Sequence, residues 1–164
     1  MANKTNFAPD EWNQLVGGAF MAGFAVTAAD PSGLWGLLKE TFASGRALLE
    51  VKSSTSGNEL LKAIVADLET GEGRTAGRDY VKSRMEGAKR EDIKARAIEG
   101  IRQAVSVVDA KAPADAQTYK DWLLHVSENV AEASKEGGFL GFGGVAVSDA
   151  EKATLAEIRT ALRR

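Results

Sequence analysis

Cysteine is absent from the 164-residue chain, and histidine occurs only once, as His125. Without cysteine, the chain cannot form disulfides, thiol-based active sites, cysteine-bound zinc fingers or iron–sulfur clusters. A single histidine excludes a carboxylate-bridged di-iron bundle, which needs two Glu-x-x-His motifs. The lack of cysteine also indicates a cytoplasmic protein, because disulfide scaffolds belong to oxidising compartments.

A large excess of charge is missing as well, since 21 basic residues face 23 acidic ones for a net charge of −2. No overall field therefore draws the protein to nucleic acid or anionic lipid. Residues 74–102 are locally basic, but acidic residues lie three or four positions from many of the basic ones, as on an exposed helix face. We therefore expect no nucleic-acid binding. The predicted pairs are Glu86–Arg90, Glu91–Lys94, Asp92–Arg96 and Glu99–Arg102.

The longest uncharged run, residues 12–29, is short for a membrane span, which needs about 20 predominantly apolar residues. It also contains polar side chains and several glycines, so we interpret it as a buried core helix. Peripheral membrane association through this helix is an alternative. Its small residues would let another helix approach closely. They are Gly17, Gly18, Ala19, Ala22, Gly23 and Ala25.

Apolar residues elsewhere recur at spacings of three and four, which predicts one all-α domain over residues 1–164 with about six helices. Residues 1–8 are expected to form a flexible N-terminus. Prolines at helix starts and Ser-x-x-Glu capping boxes mark several helix beginnings. The predicted helices run from about Pro9 to Ala29, over 34–51, from the Ser56–Glu59 capping box, near Asp79 to Glu86 after a break at 71–77, from Glu91 to Lys111, from Pro113, and from the Ser148–Glu151 capping box.

A glycine-rich segment precedes the last helix, with five glycines in the eight residues 137–144. Each glycine costs a helix about 1 kcal/mol relative to alanine, so this segment is predicted to be a loop. Its order of glycines matches neither a P-loop nor a dinucleotide-binding turn. The apolar side chains either plug the bundle or contact a protein partner, a ligand or a membrane. The candidate interaction residues are Gly137, Gly138, Phe139, Leu140, Gly141, Phe142, Gly143 and Gly144.

Residues with catalytic or metal-binding chemistry are few. His125 follows Asp121 by four positions, which could orient an imidazole, but no nucleophile is identifiable by spacing. The segment that begins at Asp67 has acidic residues at the first and third positions of an EF-hand loop, but the pattern fails at three others. We expect no catalytic residue and no cofactor.

Residues 135–158, KEGGFLGFGGVAVSDAEKATLAEI, resemble the C-terminal signature of a family of small bacterial helical proteins of unknown function. The stretches AADPSGLWGLLKE at 28–40 and DAKAP at 109–113 resemble the same family. This resemblance implies a small helical bacterial protein and supplies no activity.

A second resemblance, to the tellurite-resistance TerB-like helical proteins, rests on Asp30 at the end of the first helix and Glu40 in the next. In that family an Ala-Asp-Gly motif ends an apolar helix and an inward-facing Glu follows, whereas here Pro31 replaces the glycine. The resemblance implies a ligand-binding or metal-binding stress-response protein. Its candidate metal ligands in this chain are Asp30, Glu40 and Asp67.

Together these patterns predict a non-enzymatic binding or scaffolding domain, either a homodimer or a binder of another protein. The expected contact surfaces are the glycine-rich segment and the small-residue face of the first helix. The alternatives are TerB-like ligand or metal binding and peripheral membrane association.

Overall fold

The computed structural model describes residues 2–29, 58–136 and 147–163, and these form an all-α bundle. Two short 3-10 helices, Lys4–Asn6 and Arg90–Asp92, accompany the α-helices. In the described ranges the α-helices are α1 (Pro9–Ala29), α2 (Glu59–Glu69), α3 (Gly71–Met85), α4 (Ile93–Lys111), α5 (Pro113–Glu136) and α6 (Asp149–Leu162). The predicted all-α fold is therefore confirmed, whereas the helix predicted over 34–51 lies outside the described residues.

Helix α1 is the central element of the bundle and packs against α3, α4, α5 and α6. Most of its residues from 12 to 27 are buried, because it is apolar on all sides, and such a helix must be surrounded by others. The prediction of a core helix over this run is thus confirmed. Across the described ranges, no helix has the length and apolar character that a membrane crossing requires.

Polar contacts fix the directions of the neighbours of α1. Glu11 at the start of α1 pairs with Lys111 at the end of α4, with Oε1 and Nζ 3.1 Å apart, so these helices are antiparallel. The Tyr119 hydroxyl near the start of α5 donates to the Leu15 carbonyl at 2.8 Å. Because Ser127, two turns further along α5, lies beside the Ala22 carbonyl, α5 runs parallel to α1.

Two glycines of α1 allow the surrounding helices to approach closely. A Cβ at Gly17 would overlap the ring of Tyr80 from α3, and a Cβ at Gly18 would overlap the Tyr119 hydroxyl from α5. The predicted close approach at the small-residue face of α1 is confirmed. The partners that approach are other helices of the same chain, so this face is not available as a contact surface for another protein.

The break predicted at residues 71–77 is wrong, because α3 begins at Gly71 and continues through it. Thr70 is the N-cap, and its hydroxyl accepts a hydrogen bond from the Gly73 backbone N–H at 2.9 Å. The glycines serve packing here, since a Cβ at Gly77 would overlap the ring of Phe20. Close contact with neighbouring helices outweighs the low helix propensity of glycine.

The helix beginnings agree in part with the predicted capping boxes. Ser148 caps α6, and its reciprocal bonds with Glu151 confirm the second box. Helix α2 instead has Asn58 as its N-cap, whose side-chain oxygen accepts from the Leu61 backbone N–H at 3.0 Å. Ser56 lies outside the described residues, but the predicted box is wrong, because Glu59 is the first residue of the helix and not its third.

The ion pairs of the basic region differ from those predicted. The Glu99–Arg102 pair forms at 3.4 Å on the exposed face of α4. Lys94 instead pairs with Glu157 of α6 at 2.8 Å, which connects two helices. Arg96 lies beside the end of α3 and bonds backbone carbonyls there. The pairs Glu91–Lys94 and Asp92–Arg96 are thus replaced by contacts between helices.

Candidate binding groove

Most of the predicted site residues lie outside the part of the chain that the structure describes. These are Asp30, Glu40 and the glycine-rich segment 137–144. Asp67 is described, and it lies in the last turn of α2, at the end of the bundle where α1 begins. The structure therefore shows the surroundings of one candidate metal ligand, and these surroundings form a groove.

Residues 2–8 form what we name the N-terminal strap, which packs across this end of the bundle. Ala2 and Phe7 are buried, each with an exposed fraction of 8%. The Phe7 ring packs against the Trp12 indole with a centroid separation of 5.9 Å. The sequence predicts a flexible terminus over residues 1–8, whereas the structure gives residues 2–8 specific apolar and polar contacts.

Asp67 joins the strap to α1 through both of its carboxylate oxygens. Its Oδ2 accepts a hydrogen bond from the Trp12 indole Nε1 at 2.8 Å, and its Oδ1 accepts one from Lys4 Nζ at 2.9 Å. Lys4 Nζ also lies 5.7 Å from the centroid of the Trp12 ring, within the range of a cation–π contact. The carboxylate is thus held between a cation and an indole N–H.

A groove of about 360 Å³ lies beside this contact, between the strap, α1 and the start of α3. We name it the N-terminal groove. Its volume is within the lower part of the range of small-molecule sites. Its lining residues are Lys4, Phe7, Pro9, Trp12, Asn13, Asp67, Glu72, Gly73 and Ala76.

The groove presents both signs of charge next to apolar surface. Lys4 retains 59% exposure of its side chain despite its ion pair, whereas Asp67 retains 19%. Glu72 is exposed in the first turn of α3, where the helix dipole favours an acidic residue. The groove thus offers the rings of Phe7 and Trp12, the Lys4 ammonium and the exposed Glu72 carboxylate. These groups suit the recognition of a polar peptide segment better than the transfer of a proton.

Asp115 is the second anchor of the strap, and it was not among the predicted site residues. It lies in the first turn of α5 and is 4% exposed. Its Oδ2 accepts from the Ala2 backbone N–H and its Oδ1 from the Asn58 side-chain Nδ2, both at 2.8 Å. Locally, an acidic residue two positions after Pro113 indicates only a favourable helix start, because the distant donors cannot be inferred from local sequence.

The remaining polar candidates, His125 and Asp121, lie on the exposed side of α5. His125 is exposed on α5, and the Asp121 carboxylate accepts a hydrogen bond from Gln117 Nε2 at 2.9 Å. Among the described residues, no group of three or more histidine, aspartate or glutamate side chains is arranged to hold a metal ion. Asp67 therefore belongs to no such group in the described ranges.

A second surface groove of about 680 Å³ lies between α4 and α6. Its charged rim residues already form pairs, Glu99 with Arg102 at 3.4 Å and Asp109 with Lys120 of α5 at 2.7 Å. The remaining lining is mostly small, as at Ala161. It lacks the aromatic edges of the N-terminal groove, which is therefore the better candidate site.

Comparisons of this chain with models of protein families, with curated proteins and with solved structures give no match.

Proposed function

We propose that this chain is a non-enzymatic binding domain that holds a protein segment in the N-terminal groove. The observation that carries the proposal is the double engagement of Asp67, whose two oxygens accept from Trp12 and Lys4. Each oxygen keeps a lone pair, but the Lys4 ammonium already balances the charge that a metal ion would otherwise meet at this carboxylate. The engaged carboxylate instead fixes the aromatic wall of the groove, as a recognition surface requires.

A second copy of the chain is the partner that we propose for the groove. A twofold interface brings the same patch of both copies together, so the patch must be complementary to itself. The groove meets this condition in its charges, since the partly exposed Lys4, which also pairs with Asp67, lies on the strap side and Glu72 on the α3 side. In an antiparallel arrangement, the cation of each copy can face the carboxylate of the other.

The glycine-rich segment with Phe139, Leu140 and Phe142 stays a second proposed contact, on the sequence alone. The proposed cytoplasmic location rests on the cysteine-free composition. The proposal of a bacterial origin rests on the resemblance described above.

Self-association of the full chain tests the proposal. Ala76 is half-buried on the groove wall, so Ala76→Arg fills the groove with a long side chain while it keeps good helix propensity. Ala95→Arg is the matched control, because Ala95 is exposed on α4 away from the groove. Sedimentation equilibrium should show a wild-type dimer that Ala76→Arg weakens at least tenfold and Ala95→Arg preserves. A monomeric wild type, or a dimer that Ala76→Arg leaves unchanged, would contradict the proposal.

A further inference from the structure

The N-terminal strap is bound to the bundle by side chains from two different helices. Lys4 pairs with Asp67 of α2, with Nζ and Oδ1 2.9 Å apart, and the Ala2 backbone N–H donates to Asp115 of α5 at 2.8 Å. Phe7 adds an apolar anchor, since its exposed fraction is 8%. The bundle surface around Asp67 and Asp115 is therefore a preformed site for one strap, which we name the strap site.

The link between the strap and α1 is extended. Phe7 has φ −120° and ψ 145°, and Ala8 precedes Pro9, a position that favours extended backbone. The Ala8 N–H bonds the Glu11 carboxylate at 2.8 Å, which ties the link to α1 and leaves the rest of the strap to its contacts with the bundle. Rotation of the backbone at this link therefore redirects the whole strap without a change in α1.

The N-terminal groove adjoins both the strap and this link, because Lys4, Phe7 and Pro9 all line it. When the grooves of two copies face each other, as proposed above, each link lies beside the strap site of the other copy. The inference that follows therefore rests on the proposed function. A strap meets the same groups in the other copy as in its own, so an exchange of straps needs no new complementary surface.

We propose that two copies of the chain exchange their N-terminal straps. In the exchanged dimer, Lys4 of each copy pairs with the partner's Asp67, and Phe7 packs on the partner's Trp12. The structure shows the other arrangement of the same contacts, in which the strap binds its own bundle. Because these contacts are the same in both arrangements, the facing grooves must offset the entropy of association, and a higher protein concentration favours the exchanged dimer.

Release of the strap is the step that limits the exchange. The strap must leave its own site before it binds another, which exposes Phe7 and breaks the ion pair of Lys4. Such local unfolding of a peripheral segment costs less free energy than unfolding of the whole bundle. Monomer and dimer should therefore interconvert without global unfolding, but more slowly than proteins that associate only through surfaces that are already exposed.

Zero-length cross-linking of the wild-type chain tests the inference. A carbodiimide joins a lysine to a carboxylate only where the two are in contact, and Lys4 and Asp67 meet this condition at 2.9 Å. Equal amounts of isotopically light and heavy protein are mixed in urea, refolded together at a concentration that gives the dimer, and cross-linked. Peptide mass spectrometry should find that about half of the Lys4–Asp67 cross-links join a light peptide to a heavy one.

The same experiment separates a failure of the exchange from a failure of the proposed function. In a protein that sediments as a dimer, Lys4–Asp67 cross-links that never join light to heavy would overturn the exchange. Light–heavy cross-links between Lys4 and Glu72 in that sample would still support the facing grooves. A wild-type protein that sediments as a monomer would overturn both proposals.

Reversal of charges in the strap site gives a second measurement. Lys4→Glu and Asp67→Lys each place like charges in the strap site of a single copy. In an exchanged dimer of one variant with the other, both strap pairs again join opposite charges. Native mass spectrometry of an equal mixture should therefore find about tenfold more heterodimer than the two homodimers together.

Glu11→Lys and Lys111→Glu are the matched control pair. Their ion pair at 3.1 Å joins α1 and α4, which stay within one copy, so mixing of the two variants cannot restore it. This control mixture should form heterodimers in the statistical proportion. The same statistical proportion for the mixture of Lys4→Glu with Asp67→Lys would overturn the inference.

Discussion

At the scale of single residues, the interior of the bundle depends on a few aromatic side chains that pack against glycine. Tyr119 is fully buried, and its hydroxyl reaches the Leu15 carbonyl across Gly18. Tyr80 of α3 packs its ring on Gly17 in the same way. The two glycines are therefore positions where added volume should be costly.

Gly18→Ala should destabilise the protein by about 1–3 kcal/mol, because the new methyl group overlaps the Tyr119 hydroxyl in a close-packed interior. Gly71→Ala is the control, since no neighbouring atom lies within 4 Å of a Cβ at that position. It should be neutral or slightly stabilising. Urea unfolding of both variants measures the difference, and a Gly18→Ala variant as stable as wild type would contradict the packing described here.

Tyr119 should also make the protein sensitive to alkaline pH. Burial raises the pKa of Tyr119 well above its ordinary value of about 10. Above pH 10 the unfolded chain therefore releases a proton that the folded chain keeps, and the free energy of unfolding falls as pH rises.

Tyr119→Phe should flatten this alkaline loss, although the lost hydrogen bond to Leu15 lowers stability at neutral pH by about 1 kcal/mol. Tyr80, whose pKa burial also raises, accounts for part of the remaining slope. Unfolding free energies measured from about pH 8 to about pH 11 test this linkage. Equal alkaline slopes for wild type and variant would show that Tyr119 does not contribute.

At the scale of helices, arginine side chains satisfy backbone carbonyls where helices end. The last carbonyls of a helix have no partner within it, and a cation there also complements the helix dipole. Arg96 of α4 donates to the carbonyls of Arg84 and Glu86 at the end of α3, at 3.1 and 2.9 Å. Arg74 donates to the Glu69 carbonyl at 2.9 Å where α2 ends. Part of the basic excess in residues 74–102 thus serves helix termination.

Arg96→Met should cost about 1 kcal/mol, because it removes the charged donor and keeps most of the aliphatic side chain. Arg102→Met is the matched control on the same helix, since its exposed pair with Glu99 contributes little. Thermal unfolding of both variants measures the difference. Equal Tm values would mean that water replaces the arginine at these carbonyls without loss.

At the scale of the whole molecule, the described ranges form a bundle in which one apolar helix packs against four others, and polar contacts at one end attach the strap and α2. The glycine-rich segment lies between α5 and α6 in the chain, outside the described ranges. Its role as a core plug or as a contact surface stays a prediction from the sequence.

Replacement of Phe139 and Phe142 by serine separates these two roles. If the two rings are part of the core, the double variant should lose several kcal/mol of unfolding free energy, since truncation of a core phenylalanine costs about 3–5 kcal/mol. If the two rings form a contact surface, the double variant should instead lose self-association and keep the unfolding free energy of the wild type. Sedimentation and urea unfolding on the same double variant distinguish the outcomes, and a variant unchanged in both would exclude both roles.

The candidate site could be predicted only in fragments. Trp12 and Asp67 each carry a local signal, an aromatic residue at a helix start and an acidic residue at a helix end. Their hydrogen bond joins residues 55 positions apart, and that of Ala2 with Asp115 joins residues 113 positions apart. Neither pairing has a periodic signature, because each joins segments that only the packing of the bundle brings together.

By itself, the sequence determined the helical class, the limits of α1 and the capping box of α6, because apolar spacing and capping chemistry act over three or four residues. Only the tertiary structure decided that α3 continues through its glycines, that α1 packs its small residues inside its own chain, and that Asp67 and Asp115 hold the strap. These outcomes depend on contacts between distant segments, whose packing and hydrogen-bond energies exceed the local preferences of the residues involved.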